Sequence, residues 1–346
     1  VTLLRQAMKT CIITLVFLLA CASCQIADRR TTSDVHVKQD GRHQPEYYGY
    51  EQYCPDAEDI APCVCIQDSV SNAVALDCSS VENEEQLKQI FKADFPFKNF
   101  HKFYLLFNNN IKVLEAGVFN GISFEQIDIK YTDLEVVELQ ALDSSYETAT
   151  EMRLYENKIT SFPFDELSHF SKLRHFDISI NSLSVIPVDG FHGLTALEVL
   201  DISNNNADIV GTFQDLPNLR DIWLAYNAIT NIPAQFIKTG SSHLSYISLK
   251  DNNIVSVEPG AFDIVNGLGI NMVGNSLSTL DEATWRPNLE AGLPGGHLWA
   301  ADNPLVCGCD IAWLFGEDQL LEHVEAATCT DGEHLDNLDP SIFDNC

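Results

Sequence analysis

From about residue 101 onward, short runs of alternating apolar and polar residues return at a nearly constant interval. Leu200 and Ile202 in one run, and Ile222 and Leu224 in the next, have the period of two that predicts a β-strand with one buried face. One Asn follows nearly every run and provides the position for aligning the units. These positions are Asn109, Asn157, Asn181, Asn205, Asn227, Asn252, Asn275 and Asn303, with Thr132 taking the Asn place in one unit.

The aligned positions are 22 to 28 residues apart, which is the regularity of a repeat protein built from stacked coils. A single short strand cannot bury its apolar side alone, so neighbouring coils are expected to pair their strands in a parallel sheet over one continuous core. An Asn amide both donates and accepts hydrogen bonds, so a ladder of Asn side chains is expected along the stack. A large apolar residue behind the sheet is predicted to be core in each coil: Phe119, Leu142, Leu167, Phe191, Phe213, Phe236, Phe262 and Trp285.

These units resemble the leucine-rich repeat family, whose pattern is L-x-x-L-x-L-x-x-N-x-L. The segments YLLFNNNIKVLEAGVF, MRLYENKITSFPFDEL and FDISINSLSVIPVDGF carry the likeness, which extends over residues 101–305. The resemblance implies an α/β repeat fold: a leucine-rich repeat solenoid with a curved parallel sheet, about eight or nine coils long.

Two groups of four cysteines flank the repeats. They are Cys54, Cys63, Cys65 and Cys78 before the first coil, and Cys307, Cys309, Cys329 and Cys346 after the last. Four cysteines allow three pairings, and their spacing does not choose among them. Four thiolates around a tetrahedral zinc ion, or a redox role for the Cys307-Gly308-Cys309 run, are the alternatives.

A solenoid exposes its core at both ends unless something covers it, and these groups look like the cysteine-rich caps of extracellular leucine-rich repeat proteins. NPLVCGCDIAWL closely matches the start of the carboxy-terminal cap. The resemblance implies disulfides of Cys54 with Cys65, Cys63 with Cys78, Cys307 with Cys329, and Cys309 with Cys346. The predicted organisation is an amino-terminal cap over 54–100, repeats over 101–302 and a carboxy-terminal cap over 303–346.

The amino-terminal segment predicts export from the cell. Lys9 precedes the apolar run CIITLVFLLAC, and Ala22, Ser23 and Cys24 follow it, which is typical of a secretory signal peptide over 1–24. A core hydrophobic helix is the alternative. Residues 25–53 are polar and lack hydrophobic periodicity, so we predict a flexible leader there. Removal of 1–24 leaves eight of the 11 cysteines, an even set for an extracellular protein without membrane insertion.

Charge narrows the classes of partner. The chain has 20 Lys plus Arg against 50 Asp plus Glu, a formal net charge of −30. Such a surface repels phosphate backbones and anionic lipid, so no nucleic acid partner is expected, whereas a divalent cation or a basic protein stays open. Asp310 and the segment TDGEHLDNLDP contain acidic oxygens but lack the alternation of a calcium loop, which favours a solvated acidic face.

Motifs of catalysis are absent from the sequence: it has no HExxH, GxSxG, P-loop or GxGxxG. We therefore predict no catalytic, cofactor-binding or metal-binding residues. The outward positions of the predicted strands instead favour a partner-binding concave face. Its candidate residues are Tyr131, Arg153, Tyr155, Trp223, Tyr226, Tyr246 and Trp299.

Within this set, Trp223, Tyr226 and Tyr246 are predicted to form the main aromatic patch, because clustered exposed rings mark contact surfaces. Arg153, on the opposite half of the arc, is expected to anchor an acidic group. The alternative is that these are scattered surface rings without a function.

A narrower resemblance covers most of the chain. The segments CPDAEDIAPCVC, FKADFPFKNF, IKVLEAGVFNG, TSFPFDELS, CGCDIAWLF and NLDPSIFDNC resemble a family of secreted crustacean proteins that form the non-catalytic subunit of oplophorus-luciferin 2-monooxygenases. The resemblance implies a protein partner, a small secreted luciferase chain, in a hetero-oligomer whose oxidation chemistry belongs to that other chain. Two further hypotheses are a structural or recognition protein of matrix, cuticle or haemolymph without a luciferase partner, and direct oxidation of a luciferin by this chain.

Overall fold

The computed structural model describes residues 53–68, 71–262, 267–293, 295–316 and 320–346. The predicted signal peptide and all but the last residue of the predicted leader lie outside these ranges. No helix in the described ranges is long and apolar enough to cross a membrane.

The described residues contain twenty short strands. They are β1 (Val64–Gln67), β2 (Val74–Asp77), β3 (Asn99–Leu106), β4 (Val113–Leu114), β5 (Ser123–Lys130), β6 (Val136–Val137), β7 (Glu151–Arg153), β8 (His175–Asp177), β9 (Val185–Pro187), β10 (Val199–Asp201), β11 (Asp208–Val210), β12 (Phe213–Gln214), β13 (Asp221–Trp223), β14 (Asn231–Ile232), β15 (Ile237–Lys238), β16 (Tyr246–Ser248), β17 (Ser256–Val257), β18 (Gly269–Asn271), β19 (His297–Trp299) and β20 (Val324–Glu325).

Helices are few and mostly short. The α-helices are α1 (Ala57–Ile60), α2 (Glu84–Ile90) and α3 (Glu282–Gly292), and the 3-10 helices are Leu139–Ser145, Phe164–His169, Val188–Phe191, Cys309–Phe315, Leu320–His323, Leu335–Asn337 and Pro340–Phe343. Asn83 caps α2 by accepting a hydrogen bond from the Gln86 amide at 2.9 Å, which stabilises the start of that helix.

One sheet of twelve strands organises the described part of the chain, in the order β1-β2-β3-β5-β7-β8-β10-β13-β16-β18-β19-β20. The pairing of β1 with β2 is antiparallel, and every later neighbour is parallel. Each coil returns on the far side of the core, where β4 pairs with β6, β9 with β11, β12 with β15 and β14 with β17. This is the solenoid that the repeat period predicts.

The strand register aligns the residues on the outward side of the sheet in two rows, on what we call the concave face. The first row contains Tyr104, Asp128, Arg153, Asp177, Asp201, Trp223, Ser248, Asn271, Trp299 and Glu325. The second row contains Lys102, Gln126, Glu151, His175, Val199, Asp221, Tyr246, Gly269 and His297. Between the two rows the middle residue of each strand, such as Ile222, is buried.

The core is a single apolar cluster that runs the length of the stack. All eight predicted far-side residues are buried in it, from Phe119 at one end to Trp285 at the other. Neighbouring rings touch from coil to coil, as where Phe213 meets Phe236 edge-on with centroids 5.4 Å apart. Burial of one such side chain stabilises the fold by about 1.5 to 3 kcal/mol, so the seam is the main source of stability.

Asn side chains connect successive coils behind the strands. Nδ2 of Asn205 donates to the carbonyl of Ile202 in its own coil and to that of Ile178 in the preceding coil, both at 3.1 Å. Its Oδ1 accepts from the amide of Leu183 at 3.3 Å. Side-chain amides make corresponding bonds to the preceding coil at Asn157, Asn181, Asn227, Asn252, Asn275 and Asn303, of which all but the half-buried Asn181 are buried. The ladder satisfies backbone groups that no strand pairs.

The first coil departs from the sequence alignment. Its ladder residue is Asn108, whose side chain is buried and donates to Val81 O at 2.7 Å, whereas Asn109 is exposed. The assignment of Asn109 was wrong because this coil has one extra residue between its ladder Asn and the next core position, Ile111. Three consecutive Asn residues precede Ile111, and counting two residues back from it, as in the other coils, selects Asn109 instead of Asn108.

Disulfides close both ends of the stack. They join Cys54 to Cys65, Cys63 to Cys78, Cys307 to Cys329, and Cys309 to Cys346, the pairs that the family resemblance implies. At the carboxy-terminal end Trp313 packs over the last coils, and its Nε1 donates to Leu280 O at 2.9 Å. Each bond is expected to contribute about 2 to 4 kcal/mol, because it restricts the unfolded chain.

Candidate functional site on the concave face

The seven predicted partner-binding residues fall at different positions of their coils. Arg153, Trp223 and Trp299 belong to the first row, and Tyr246 belongs to the second. Tyr155 follows the first row by two residues, and Tyr131 and Tyr226 follow it by three. The last position has a left-handed backbone in nine successive coils: Phe107, Tyr131, Glu156, Ile180, Asn204, Tyr226, Asp251, Gly274 and Asp302.

At the amino-terminal end of the face, three rings pack against one another. Phe107 stacks on Tyr131 with centroids 4.7 Å apart, and Tyr131 meets Tyr155 edge-on at 5.1 Å. The two tyrosine hydroxyls share a hydrogen bond of 2.9 Å. Burial, together with this bond, raises the pKa of Tyr131 to about 12. The Tyr131 hydroxyl therefore stays protonated, and each hydroxyl has the other as its hydrogen-bond partner. Phe107 is a ring that the sequence analysis did not include.

Beside these rings, Asp128 is the centre of an ion-pair network. Its carboxylate lies 2.9 Å from Lys102 Nζ, 3.2 Å from Lys130 Nζ and 3.3 Å from Arg153 Nη1. Asp128 is only 2% exposed, and burial acts to raise its pKa, but the hydrogen bonds and charges of the two lysines outweigh burial and lower it. Arg153 also pairs with Glu151, so it is not the free cation expected to anchor an acidic group.

In the middle of the face, two aspartates occupy neighbouring places in the first row. Oδ1 of Asp177 accepts from the amide of Ser179 at 2.9 Å and from its hydroxyl at 2.7 Å. Asp201 uses its Oδ1 in the same way with Ser203, whose amide is 3.0 Å away. Burial raises the pKa of both carboxyls, and the charge of Asp177 further raises the pKa of Asp201.

Toward the carboxy-terminal end, three rings form what we call the aromatic shelf: Trp223, Tyr246 and Trp299. Ring centroids are 4.8 Å apart between Trp223 and Tyr246, and 6.1 Å apart between Tyr246 and Trp299. Gly269 lies in the second row beside Tyr246, and a Cβ there would come within 2.8 Å of the Trp299 ring. The glycine therefore gives the indole room to lie against the sheet.

The carboxy-terminal cap fixes this shelf from the other side. Glu325, in the last strand, accepts a hydrogen bond from Trp299 Nε1 at 2.8 Å through Oε2. Its Oε1 lies 2.9 Å from Nδ1 of His297. Sequence reasoning missed Gly269, His297 and Glu325. A glycine at an outward strand position was a visible signal, whereas the reach of Glu325 depends on how the cap docks.

Tyr226 lies outside the shelf, contrary to the predicted patch of Trp223, Tyr226 and Tyr246. It is exposed and sits beneath Lys250, whose Nζ is 5.9 Å from the ring centroid. Tyr226 lies three residues after Trp223, beyond the end of its strand, where the backbone is left-handed at φ 56°. Trp299, two strands further along the sheet, takes its place next to Tyr246.

In the ranges that the structure describes, no group of three or more His, Cys, Asp or Glu residues is arranged to hold a metal ion. Asp310, in the segment considered for calcium, instead accepts hydrogen bonds from Thr279 Oγ1 and from the Gly308 amide. The geometry of the concave face thus offers noncovalent recognition through rings and carboxylates.

Comparison with known proteins places this architecture in a class. A family model described as Leucine rich repeat matches residues 171–229 and 217–277. Among solved structures, an octameric complex of Latrophilin 3, Unc5D and the leucine-rich repeats of FLRT2 has a chain with a TM-score of 0.54. That match covers 84% of this chain and 99% of the other at 17% identity, so it concerns the fold alone. The leucine-rich repeat solenoid is thereby confirmed.

Two curated relatives narrow the class. Lumican of Gallus gallus is 26% identical over 271 residues, 70% of this chain and 74% of the relative. The Oplophorus-luciferin 2-monooxygenase non-catalytic subunit of Oplophorus gracilirostris is 33% identical over 318 residues, 84% of this chain and 87% of the relative. The chain belongs to the family of that subunit, within the leucine-rich repeat proteins. This kinship confirms the prediction that the chain is not itself an enzyme.

Proposed function

We propose that this chain is a secreted, non-catalytic binding protein that holds a protein partner against the aromatic shelf of its concave face. The observation that carries the proposal is the construction of the shelf. Trp223 is 39% exposed on the outward side of a strand. Trp299 lies against Gly269, and its Nε1 donates a hydrogen bond to Glu325. Rings that are both exposed and positioned are typical of the hot spots of protein interfaces.

Stability alone gives no reason for this arrangement. Glycine weakens a strand interior, and an exposed indole keeps apolar area in water. The chain nevertheless has both on the concave face, since Gly269 and Trp299 lie on neighbouring strands. The four disulfides are typical of extracellular proteins, in keeping with the predicted signal peptide.

The partner that we propose is a small secreted luciferase chain, which this protein would stabilise within a hetero-oligomer. Support comes from kinship with the Oplophorus gracilirostris protein, whose name describes a non-catalytic subunit of a luciferin monooxygenase. A net charge of −30 opposes binding of nucleic acid, which agrees with a protein partner.

The first prediction concerns the shelf. Purification of the endogenous complex from the source tissue identifies the partner, and calorimetric titration of that partner measures its affinity. Trp223→Ala is expected to weaken binding at least tenfold, about 1.4 kcal/mol, while the melting temperature stays within about 2 °C of wild type.

Val255→Ala is the control, because Val255 is also an exposed apolar residue but lies outside both rows. Equal affinities of the Trp223 variant and the wild type would place the interface elsewhere. Purified protein with no retained partner, and with broad binding that depends on ions, would favour the structural role in matrix, cuticle or haemolymph.

A further inference from the structure

We propose that the partner segment received by the concave face is basic, and that it places a Lys or Arg flanked by apolar residues over Asp177 and Asp201, next to Trp223 and Ile180. This inference rests on the proposed function and adds the chemistry of the partner. Asp177, Asp201 and Trp223 are adjacent in the first row, on β8, β10 and β13. With parallel strands about 4.8 Å apart, two carboxylates and one indole lie within roughly 10 Å.

Neither aspartate forms an ion pair with a described residue, and the charges of Arg153 and Lys130, which act to lower the pKa of Asp177, are outweighed by burial. No Lys, Arg or His nitrogen of the described ranges comes within 4 Å of either carboxylate, although Asp128 in the same row has three such neighbours. The nearest cation along the row, Arg153, is held by Asp128 and Glu151. Like charges in adjacent strand positions repel each other. A cation of the partner that lies between the two carboxylates would therefore be bound favourably and would reduce this repulsion.

The geometry of the two carboxylates leaves acceptors for such a cation. Both use Oδ1 for the serine two residues later, and within the described ranges Oδ2 of neither accepts a hydrogen bond. Burial raises the pKa of both groups, which shows that their charges are poorly solvated. A Lys or Arg that bridges the two Oδ2 atoms would supply the missing interaction.

Ile180, three residues after Asp177, adds an exposed apolar side chain to the same coil. It is 43% exposed, and its φ of 53° lies in the left-handed region that a β-branched residue rarely adopts. Asn204, Asp251 and Asp302 occupy this position in other coils, and these residue types tolerate the conformation better. Local stability therefore disfavours isoleucine here, and binding of an apolar side chain by the adjacent surface gives it a use.

Charge complementarity selects the occupant. A second copy of this chain, at −30, or an acidic peptide would bring more negative charge to the pair, whereas a basic protein segment would be steered toward it. A basic segment is therefore the expected occupant, and binding of a second copy of this chain or of an acidic peptide at this place would contradict the inference.

The test uses a phage-displayed library of random dodecapeptides, selected against the full purified chain at low ionic strength. We expect the enriched peptides to contain a Lys or Arg within two positions of an aromatic or aliphatic residue. They should bind Asp177→Asn/Asp201→Asn at least tenfold more weakly than wild type. Asp336→Asn/Asp344→Asn, with the same change in charge at exposed sites of the cap, should bind them as wild type does.

The double variant is expected to fold, because Asn makes the same turn elsewhere in the row. Oδ1 of Asn271 accepts from the Val273 amide at 3.1 Å, two residues later, as Asp177 does with Ser179. Circular dichroism and the melting temperature check this expectation.

Two failures are distinguishable. Enriched peptides that lack basic residues, or that bind the double variant as well as wild type but are lost on Trp223→Ala, would overturn the basic partner and leave the binding function intact. Peptides that are insensitive to Trp223→Ala as well would count against the shelf itself.

Discussion

Asp128 and Asp201 stand in the same outward row of one sheet, three strands apart, yet their surroundings are opposite. Asp128 is encircled by Lys102, Lys130 and Arg153, and its pKa is lowered. Asp201 faces another carboxylate, has no cation within ion-pair distance among the described residues, and has a raised pKa because of burial. One solenoid thus contains a region that is electrostatically satisfied and a region that is not.

The difference separates structural from functional use of the same scaffold. In the amino-terminal region, the charges around Asp128 and the two tyrosine hydroxyls find their partners within the chain. In the central and carboxy-terminal region, Asp177 and Asp201 have no ion-pair partner among the described residues, and Ile180 and Trp223 are exposed. Sites that sacrifice stability in this way are often the ones that act in binding.

Removal of Asp128 should have the largest effect on folding. Asp128→Ala leaves three mutually repelling cations on a part-buried surface, and we expect the free energy of unfolding to fall by about 2 to 3 kcal/mol. Urea unfolding measures the loss, and binding of the basic peptides should be unchanged. Glu135→Ala is the control, because its ion pair with Lys112 is exposed to solvent and should contribute little to stability. Equal stabilities of the two variants would contradict the contrast between the regions.

Neutralisation of the central pair should have the opposite sign. Asp177→Asn/Asp201→Asn is expected to raise the free energy of unfolding at pH 7 by about 1 to 2 kcal/mol, since it removes two poorly solvated charges. A raised folded-state pKa means that ionisation is disfavoured in the fold. The gain is therefore full above the folded pKa values and disappears as pH falls below about 4, the ordinary range of Asp.

Urea titrations of the variant and the wild type at pH 7 and pH 3.5 test this sign. For Asp128, whose pKa is lowered, the linkage is reversed, and its contribution is lost as pH falls. A double variant that is less stable than wild type at pH 7 would mean that the aspartates serve the fold.

The sequence was sufficient to predict the solenoid and its buried seam, because every coil repeats the same core spacing. Even the burial of Trp285, in a coil with an α-helix, follows from its place in the period. Counting failed only where a coil has an extra residue, at Asn108 and Asn109. That error is local, because the next coil restores the register.

Contacts between coils were harder to predict. Arg153 meets Asp128 across 25 residues, and Trp299 meets Glu325 across 26. Such contacts depend on the stacking of strands and on side-chain direction. For this reason the ion pairs of Arg153 with Asp128 and Glu151 were not predicted, and Tyr226 was placed in one patch with Trp223 and Tyr246. The special role of Gly269 likewise becomes visible only when the neighbouring ring is in place.

Substitution of Ile180 should have the smallest effect, yet it tests the difference between the two regions most directly, because stability and peptide binding should change in opposite directions. Ile180→Asn replaces a β-branched residue by one suited to a left-handed backbone, and we expect the free energy of unfolding to rise by about 0.5 to 1 kcal/mol. The same change removes the apolar contact beside Asp177 and Asp201, so affinity for the basic peptides should fall about threefold to tenfold. Asn204→Ile, the reverse change one coil further, should destabilise the chain by a similar amount.

Thermal and urea unfolding of both variants, together with peptide titration, provide the measurement. If Ile180 instead stabilises the fold, Ile180→Asn should be less stable than wild type and should bind the basic peptides unchanged. Because the two substitutions exchange the same pair of residues at equivalent positions, differences in side-chain volume and polarity cancel between them. The sign of the stability change at residue 180, set against that of binding, then tells whether this part of the concave face is retained for folding or for a partner.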